Sequence, residues 1–117
     1  MKYFNEGNKS YNNKDYERAI DCYSKAAVNG ENGACSYYNS GVCFIKLKNY
    51  HSAIIMLKKA IEITKESKYY FNLGYCYAML DQKGRAIINF NLAWSLNNED
   101  VDCEKAIKLI TSKIVWF

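Results

Sequence analysis

The chain has 117 residues, of which 50% are hydrophobic and 24% are charged, and its formal net charge is +4 at pH 7. This length predicts one domain or one short stack of repeats, with the composition of an ordinary soluble protein. No stretch approaches about 20 uninterrupted apolar residues, which excludes a membrane-spanning helix, and the polar N-terminus argues against a secretory signal.

The elements predicted along the chain are all helices. Proline is absent, so nothing forbids long helices. Apolar residues recur at helical spacing, for example at Ile54, Leu57 and Ile61. Gly and Asn in the connections are expected to supply left-handed helix ends, and Thr, Asn and Asp the N-caps. The predicted helices cover about 2–13 and 15–28, 34–47 and 50–63, 67–80 and 83–96, and 99–116.

The first six helices form three pairs that repeat a pattern of small residues. Gly7, Gly41 and Gly74 each lie twelve residues before an alanine, and a second alanine follows seven residues later. The copies are 34 and 33 residues apart. Small side chains let paired helices approach closely, while larger residues fill the space around them. A repeat of this period cannot bury its apolar face alone, so the units are expected to stack.

With these Gly–Ala–Ala registers in all three copies, residues 1–98 resemble the tetratricopeptide repeat family. The resemblance implies an all-α fold, a right-handed α-solenoid of three helix-turn-helix hairpins followed by a capping helix. The predicted repeats cover about 1–32, 33–65 and 66–98, and residues 99–117 form the C-terminal capping helix.

The chain departs from the family pattern at the end of each repeat, where Glu31, Lys65 and Asn98 replace proline. These departures affect the expected angles between repeats rather than the fold class. The charged Lys2 and Lys9 stand where later copies have residues that face a preceding hairpin. We therefore expect the stack to begin at residue 1.

The resemblance also implies where a ligand binds, because the first helix of each hairpin lines a concave groove in this family. Phe4, Tyr11 and Ile45 are expected to lie in that groove. The predicted peptide-binding residues are Asn5, Asn8 and Asn12 from the first copy, Tyr38, Asn39, Val42 and Lys46 from the second, and Lys68, Phe71, Asn72, Tyr75 and Met79 from the third.

One asparagine recurs in this set, two residues before each repeat glycine, at Asn5, Asn39 and Asn72. An Asn side chain carries both a donor and an acceptor, so it can pair with the N–H and C=O groups of an extended peptide whatever the peptide's sequence. The alternative is that these amides bond their own neighbours and are structural.

An aromatic residue recurs in the same way, at Phe4, Tyr38 and Phe71. Aromatic side chains exposed in register would form a contact surface for a partner. The alternative is that these rings pack against adjacent helices inside the repeats.

Catalytic and metal chemistry find little support. The five cysteines are an odd number without a CxxC pair, which argues against a disulfide framework and favours a reducing cytoplasm. The single histidine, His51, has no evident nucleophile partner, and no glycine-rich phosphate loop is present. We therefore predict no catalytic residue, no metal site and no cofactor.

These observations favour a non-catalytic module that binds a peptide segment of a partner protein. Residues 46–85 carry eight Lys and Arg against three carboxylates, which favours an acidic partner, although a solvated basic face is the alternative. Self-association, through the groove or through Trp116 and Phe117, is the second hypothesis. Nucleic-acid binding is disfavoured, because a net charge of +4 is weak for a surface that follows phosphates.

A carboxylate clamp, as in chaperone-binding members of the family, is a narrower possibility. The resemblance matches Asn8, Asn39 and Lys68 to clamp positions. Phe4 and Asn72, however, stand where the clamp has cations. Charge-assisted hydrogen bonds dominate such a site, so these two departures weaken the hypothesis.

Overall fold

A computed structural model describes residues 1–99 and 101–115, and these residues form seven α-helices and no strand. All seven predicted helices are confirmed, each to within two residues at either end. The helices are α1 (Lys2–Asn12), α2 (Tyr16–Val28), α3 (Gly33–Lys46), α4 (Tyr50–Ile63), α5 (Ser67–Met79), α6 (Lys83–Leu96) and α7 (Val101–Val115).

The chain divides into two compact units. The first, Met1–Lys65, contains α1 to α4, and the second, Glu66–Phe117, contains α5 to α7. None of the described helices combines the length and the apolar character needed to cross a membrane. The predicted contact surface at Trp116 and Phe117 lies outside the described residues.

In the first unit, α1 packs on α2, and α3 packs on both α2 and α4. The repeat glycines lie where two helices meet. A Cβ atom on Gly7 would lie 2.6 Å from the ring of Tyr23, and one on Gly41 would lie 3.0 Å from Cγ of Leu57. Both partner side chains are almost fully buried. The absence of a side chain on the glycine therefore allows the large residue of the second helix to pack against the first.

The second unit repeats this contact. α5 packs on α6, and α6 in turn contacts α7. A Cβ atom on Gly74 would lie 2.9 Å from the ring of Phe90 and 3.1 Å from the carbonyl oxygen of Ala86. The repeat alanines of both units are fully buried, as is Cys103 of α7. The close approach that the sequence predicted is thus present in all three hairpins.

The turn inside each hairpin has the same hydrogen-bonded geometry. The residue after the C-cap of α1, α3 and α5 adopts a positive φ, at Lys14 (61°), Lys48 (59°) and Asp81 (58°). The N–H of this residue and the N–H of the residue after it donate to carbonyl oxygens in the last turn of the helix, as in a Schellman motif. The expectation of Gly or Asn at left-handed helix ends is confirmed at Gly30, after α2, but wrong for these three turns.

One departure from the family pattern has a structural role. The Glu31 carboxylate accepts a hydrogen bond of 3.1 Å from the N–H of Phe4, in the first turn of α1. Ser36 donates its hydroxyl to the carbonyl oxygen of Glu31 at 2.7 Å. A helix N-terminus has unpaired N–H groups and a partial positive charge, so a carboxylate there is stabilising. Glu31 thereby ties the start of α1 to the connection between α2 and α3.

Candidate functional site

A half-open cleft of about 310 Å³ lies between α1, α2 and α3 in the first unit. We call it the first-unit cleft. None of its lining side chains is charged. They are Asn8, Tyr11, Tyr23, Tyr38, Asn39 and Val42.

Helical spacing explains why these side chains meet. Asn8 and Tyr11 lie three residues apart on α1, and Tyr38 and Val42 lie four apart on α3, so each pair shares one face of its helix. Tyr23 reaches the cleft from α2 because Gly7 leaves room for its ring. The structure thus brings together four of the predicted binding residues and Tyr11.

Tyr23 is the functional candidate that the sequence analysis missed. Its ring is only 2% exposed and lies 5.8 Å from the ring of Phe4, between centroids. Its hydroxyl donates a hydrogen bond of 2.5 Å to Oδ1 of Asn8. The side-chain amide of Asn39 lines the same cleft. The available signal was that Leu57 and Phe90 occupy the same repeat register without a hydroxyl.

Burial also fixes the protonation of Tyr23. Loss of hydration is the main reason that the pKa of Tyr23 rises to about 12, and the nearby thiol of Cys43 adds to the rise. The Asn39 amide opposes it, because an N–H donor favours the charged phenolate. The phenol is therefore neutral at physiological pH and keeps its proton to donate to Asn8.

Three predicted residues of the first unit lie outside this lining. Asn5, Asn12 and Lys46 are exposed on α1 and α3. They remain predicted contacts at the surface of these helices, with no role in forming the cleft itself.

The α5 residues have different surroundings. The amide nitrogen of Asn72 donates a hydrogen bond of 2.9 Å to the carbonyl oxygen of Lys68, one turn earlier in the same helix. Phe71 packs against Phe90, with ring centroids 5.3 Å apart. Each side chain thus contacts its own neighbours in the repeat, which was the structural alternative to ligand binding at these two repeat positions. Lys68 itself is exposed.

Tyr75 and Met79 line a second cleft, of about 360 Å³, among α5, α6 and α7 of the second unit. Phe90, Leu109 and Ile110 contribute to its largely apolar lining. Tyr75 is 38% exposed and Met79 is 50% exposed. These two predicted residues therefore line one cleft together with residues of α7.

The cysteines are thiols, with no disulfide in the described part of the chain. Cys43 and Cys76 are fully buried, and burial raises the pKa of each thiol to about 12. A thiol that stays protonated is a poor nucleophile and a poor metal ligand. Among residues 1–99 and 101–115, no group of three or more His, Cys, Asp or Glu is placed to hold a metal ion.

The chain is similar to known repeat proteins. It is 39% identical over 61 residues to Protein unc-45 homolog B of Xenopus laevis, a match covering 50% of this chain and 7% of that protein. It is 33% identical over 97 residues to TPR repeat-containing protein MJ1428 of Methanocaldococcus jannaschii, covering 82% of this chain and 17% of that protein. The chain thus spans less than a fifth of the length of these relatives.

A solved structure shares the fold. The first tetratricopeptide repeat domain of Spaghetti (RPAP3), bound to the HSP90 peptide SRMEEVD, matches with a TM-score of 0.91 and 19% identity. The match covers 97% of this chain and 90% of that domain. The sequence profile of the tetratricopeptide repeat matches residues 36–67 and 67–100, more than half of the chain. The chain therefore belongs to the tetratricopeptide repeat family, whose fold is an all-α helical-repeat solenoid.

Proposed function

We propose that this protein is a non-catalytic interaction module whose first-unit cleft binds an extended peptide segment of a partner protein. The observation that carries the proposal is the cleft itself. It combines the tyrosine rings and Val42 with two side-chain amides, Asn8 and Asn39. A concave apolar surface with a few fixed polar groups is the usual composition of a ligand site.

The relatives give independent support. The Spaghetti domain, which has the same fold, holds a peptide in its solved structure. Because that domain is only 19% identical, it supports peptide binding as a class and leaves the identity of the peptide to this chain's own residues. The excess of basic residues at 46–85 would steer an acidic partner toward the protein at long range. The five cysteines are free thiols, which fits a reducing compartment such as the cytoplasm.

The lining disfavours a clamp for a peptide's terminal carboxylate. A desolvated carboxylate needs a charged partner or several strong donors. No cation lines the first-unit cleft, and Phe4 stands where the clamp has a lysine. A neutral part of the peptide therefore fits this cleft better than a charged terminus.

The test is to select binders from a phage-displayed library of random peptides and to measure their affinity by isothermal titration calorimetry. We expect a Kd in the micromolar range, about −8 kcal/mol, because a short groove must offset the cost of ordering a flexible peptide. Tyr38→Ala should weaken binding by about tenfold or more, which corresponds to about 1.4 kcal/mol. Ile55→Ala, at an exposed apolar position of α4, is the matched control. Equal affinities of wild type and Tyr38→Ala would contradict the proposal.

Self-association is the second candidate, and one observation favours it. Ile88, Leu92 and Leu96 are spaced four residues apart on α6 and are 60%, 42% and 50% exposed. An apolar stripe on one helix face is a common dimer contact. Sedimentation velocity over a range of concentrations tests this: a sedimentation coefficient that rises with concentration, and that stays constant in Leu92→Lys, supports a dimer through α6.

A further inference from the structure

The second helices of the three hairpins, α2, α4 and α6, differ in chemistry at three shared repeat positions. These positions hold Asp21, Lys25 and Asn29 in the first repeat, Ile55, Lys59 and Ile63 in the second, and Ile88, Leu92 and Leu96 in the third. All nine side chains are exposed. Of these three helices, α6 alone therefore presents an uninterrupted apolar row to solvent. We call this row the α6 stripe.

The corresponding positions of the other two repeats are suited to water. Asp21 and Lys25 form an ion pair of 3.1 Å on α2. On α4, Nζ of Lys59 lies 5.6 Å from the centroid of the Tyr37 ring. Leu92 stands at the repeat position of both lysines, and its apolar surface is stabilised when a partner removes it from water. An apolar row where the other repeats carry charge indicates a contact surface.

The α6 stripe and the charges at its two ends form a pattern that is symmetric about Leu92. Arg85 lies three residues before Ile88, and Glu99 lies three residues after Leu96, in the turn that follows α6. A two-fold interface requires a surface that is complementary to itself. When two α6 helices pack antiparallel with Leu92 against Leu92, each Ile88 faces a Leu96. Each Arg85 then faces the turn that carries Glu99.

The charges at the two ends are available for such a contact. The Arg85 guanidinium contacts neutral groups, the side-chain oxygen of Gln82 at 3.2 Å and the ring of Tyr77. Within the described part of the chain, neither Arg85 nor Glu99 forms an ion pair. The last turn of α6 also contains no basic residue, although a helix C-terminus carries a partial negative charge. An antiparallel second copy brings Arg85 to that end.

We propose that two copies of this chain pair through the α6 stripe, with their α6 helices antiparallel about a two-fold axis at Leu92. This inference rests on self-association, the second candidate function, and gives it a surface and an orientation. It uses residues of the second unit alone and is independent of peptide binding in the first-unit cleft.

The same geometry disfavours the other two second helices as the contact. The central residue of an antiparallel pair meets its own copy, so α2 would place Lys25 against Lys25, and α4 would place Lys59 against Lys59. Like charges in contact oppose association. One helix face per copy gives an interface near the lower limit for specific complexes, about 1,200 Å² in total, so we expect a dissociation constant of about 100 μM.

The test is sedimentation equilibrium of the full chain, with reductant present, over concentrations that span the expected dissociation constant. Leu92→Lys places at the centre the residue that α2 and α4 carry there, so it should fold and abolish pairing. Ile55→Lys, at an exposed apolar position of α4, is the matched control and should leave pairing unchanged. Circular dichroism melting checks that each variant is folded.

Charge reversal tests the orientation. Arg85→Glu and Glu99→Arg each place like charges opposite one another in an antiparallel pair. Each should weaken pairing by about tenfold, because the two-fold axis doubles the effect of every substitution. The variant that carries both changes restores opposite charges and should recover most of the wild-type affinity.

A dimer that persists in Leu92→Lys overturns the inference. Loss of pairing in Leu92→Lys without recovery in the double charge reversal overturns the antiparallel arrangement, while self-association through α6 stands. A protein that stays monomeric at every concentration overturns the inference and self-association together. Peptide titration of Tyr38→Ala decides the peptide-binding proposal separately in each case.

Discussion

The first and third hairpins make the same helix contact with different chemistry. Gly7 meets the ring of Tyr23 and Gly74 meets the ring of Phe90, with distances from an added Cβ of 2.6 Å and 2.9 Å. Only the first contact carries a hydroxyl, and that hydroxyl bonds Asn8. The residues that repeat therefore specify the fold, while a single departure within the repeat creates the polar site.

Alkaline pH should have the largest effect on stability. Tyr23 of the first hairpin should contribute to this effect, whereas Phe90 of the third hairpin has no proton to lose. The pKa values of Tyr23, Cys43 and Cys76 rise to about 12 in the folded protein from ordinary values of 10.0 for the phenol and 9.0 for the thiols. The unfolded chain releases the two thiol protons above pH 9 and the phenol proton above pH 10, while the folded chain retains them. The stability they contribute is thus present below pH 9 and is lost as the pH rises toward 12.

Each group that titrates in this way contributes a slope of about 1.4 kcal/mol per pH unit. Urea unfolding at a series of pH values from 8 to 11, with reductant present, measures the slope. Tyr23→Phe should make it shallower, whereas Phe90→Leu should leave it unchanged. Equal slopes for wild type and Tyr23→Phe would show that the phenol titrates normally.

Adding a methyl group to the repeat glycines should have the next largest effect. Gly7→Ala and Gly74→Ala place a Cβ inside contact distance of a buried ring, and overpacking of this kind costs about 1–3 kcal/mol. Gly84→Ala is the control, since nothing lies within 4 Å of its added Cβ. It should be neutral or slightly stabilising, because Ala favours helix. The midpoint of urea unfolding distinguishes these outcomes, and equal midpoints for Gly74→Ala and Gly84→Ala would refute the close approach.

Loss of the Glu31 carboxylate should destabilise the first unit by a smaller amount. Glu31→Ala removes the acceptor for the N–H of Phe4, and loss of such a helix cap costs about 0.5–2 kcal/mol. Hydrogen exchange should show faster exchange of the Phe4 amide, with amides of α5 unchanged. Glu62→Ala, at an exposed position of α4, is the matched control. Unchanged exchange at Phe4 in Glu31→Ala would mean that the bond contributes nothing.

The hairpin turns should give the smallest effect, with the opposite sign. Lys48 has a φ of 59°, which glycine adopts without steric cost. Lys48→Gly should therefore stabilise the protein by about 0.5–1 kcal/mol, the gain being limited by the flexibility of glycine when unfolded. Lys58→Gly, inside α4, should destabilise by about 1 kcal/mol instead. A lower melting temperature for Lys48→Gly would contradict the turn geometry.

The fold was predictable because its determinants are local and repeated. Gly7, Gly41 and Gly74 recur with their alanines at spacings that require close helix pairs, and the structure places them there. The turn residues were harder to predict, because the hydrogen bonds of the turn hold Lys14 at a positive φ despite the preference of its side chain.

The site was predictable only in part. Helical periodicity and the family resemblance indicated Asn8, Tyr38, Asn39 and Val42, which do line one cleft. Tyr23, which lines the same cleft, is not among the predicted binding residues. Whether a phenol at this register also bonds an asparagine depends on how α1 and α2 meet, and no single helix pattern contains that information.

The most direct measurement is a titration of ¹⁵N-labelled protein with an unlabelled library-selected peptide, followed by NMR of the side-chain amides. The account predicts that the Asn8 and Asn39 resonances shift and saturate together. The Asn89 amide, which donates to the carbonyl of Arg85 on α6, should stay unchanged. Shifts confined to Asn89 and its neighbours on α6, with Asn8 and Asn39 unaffected, would place the binding site elsewhere and contradict the account.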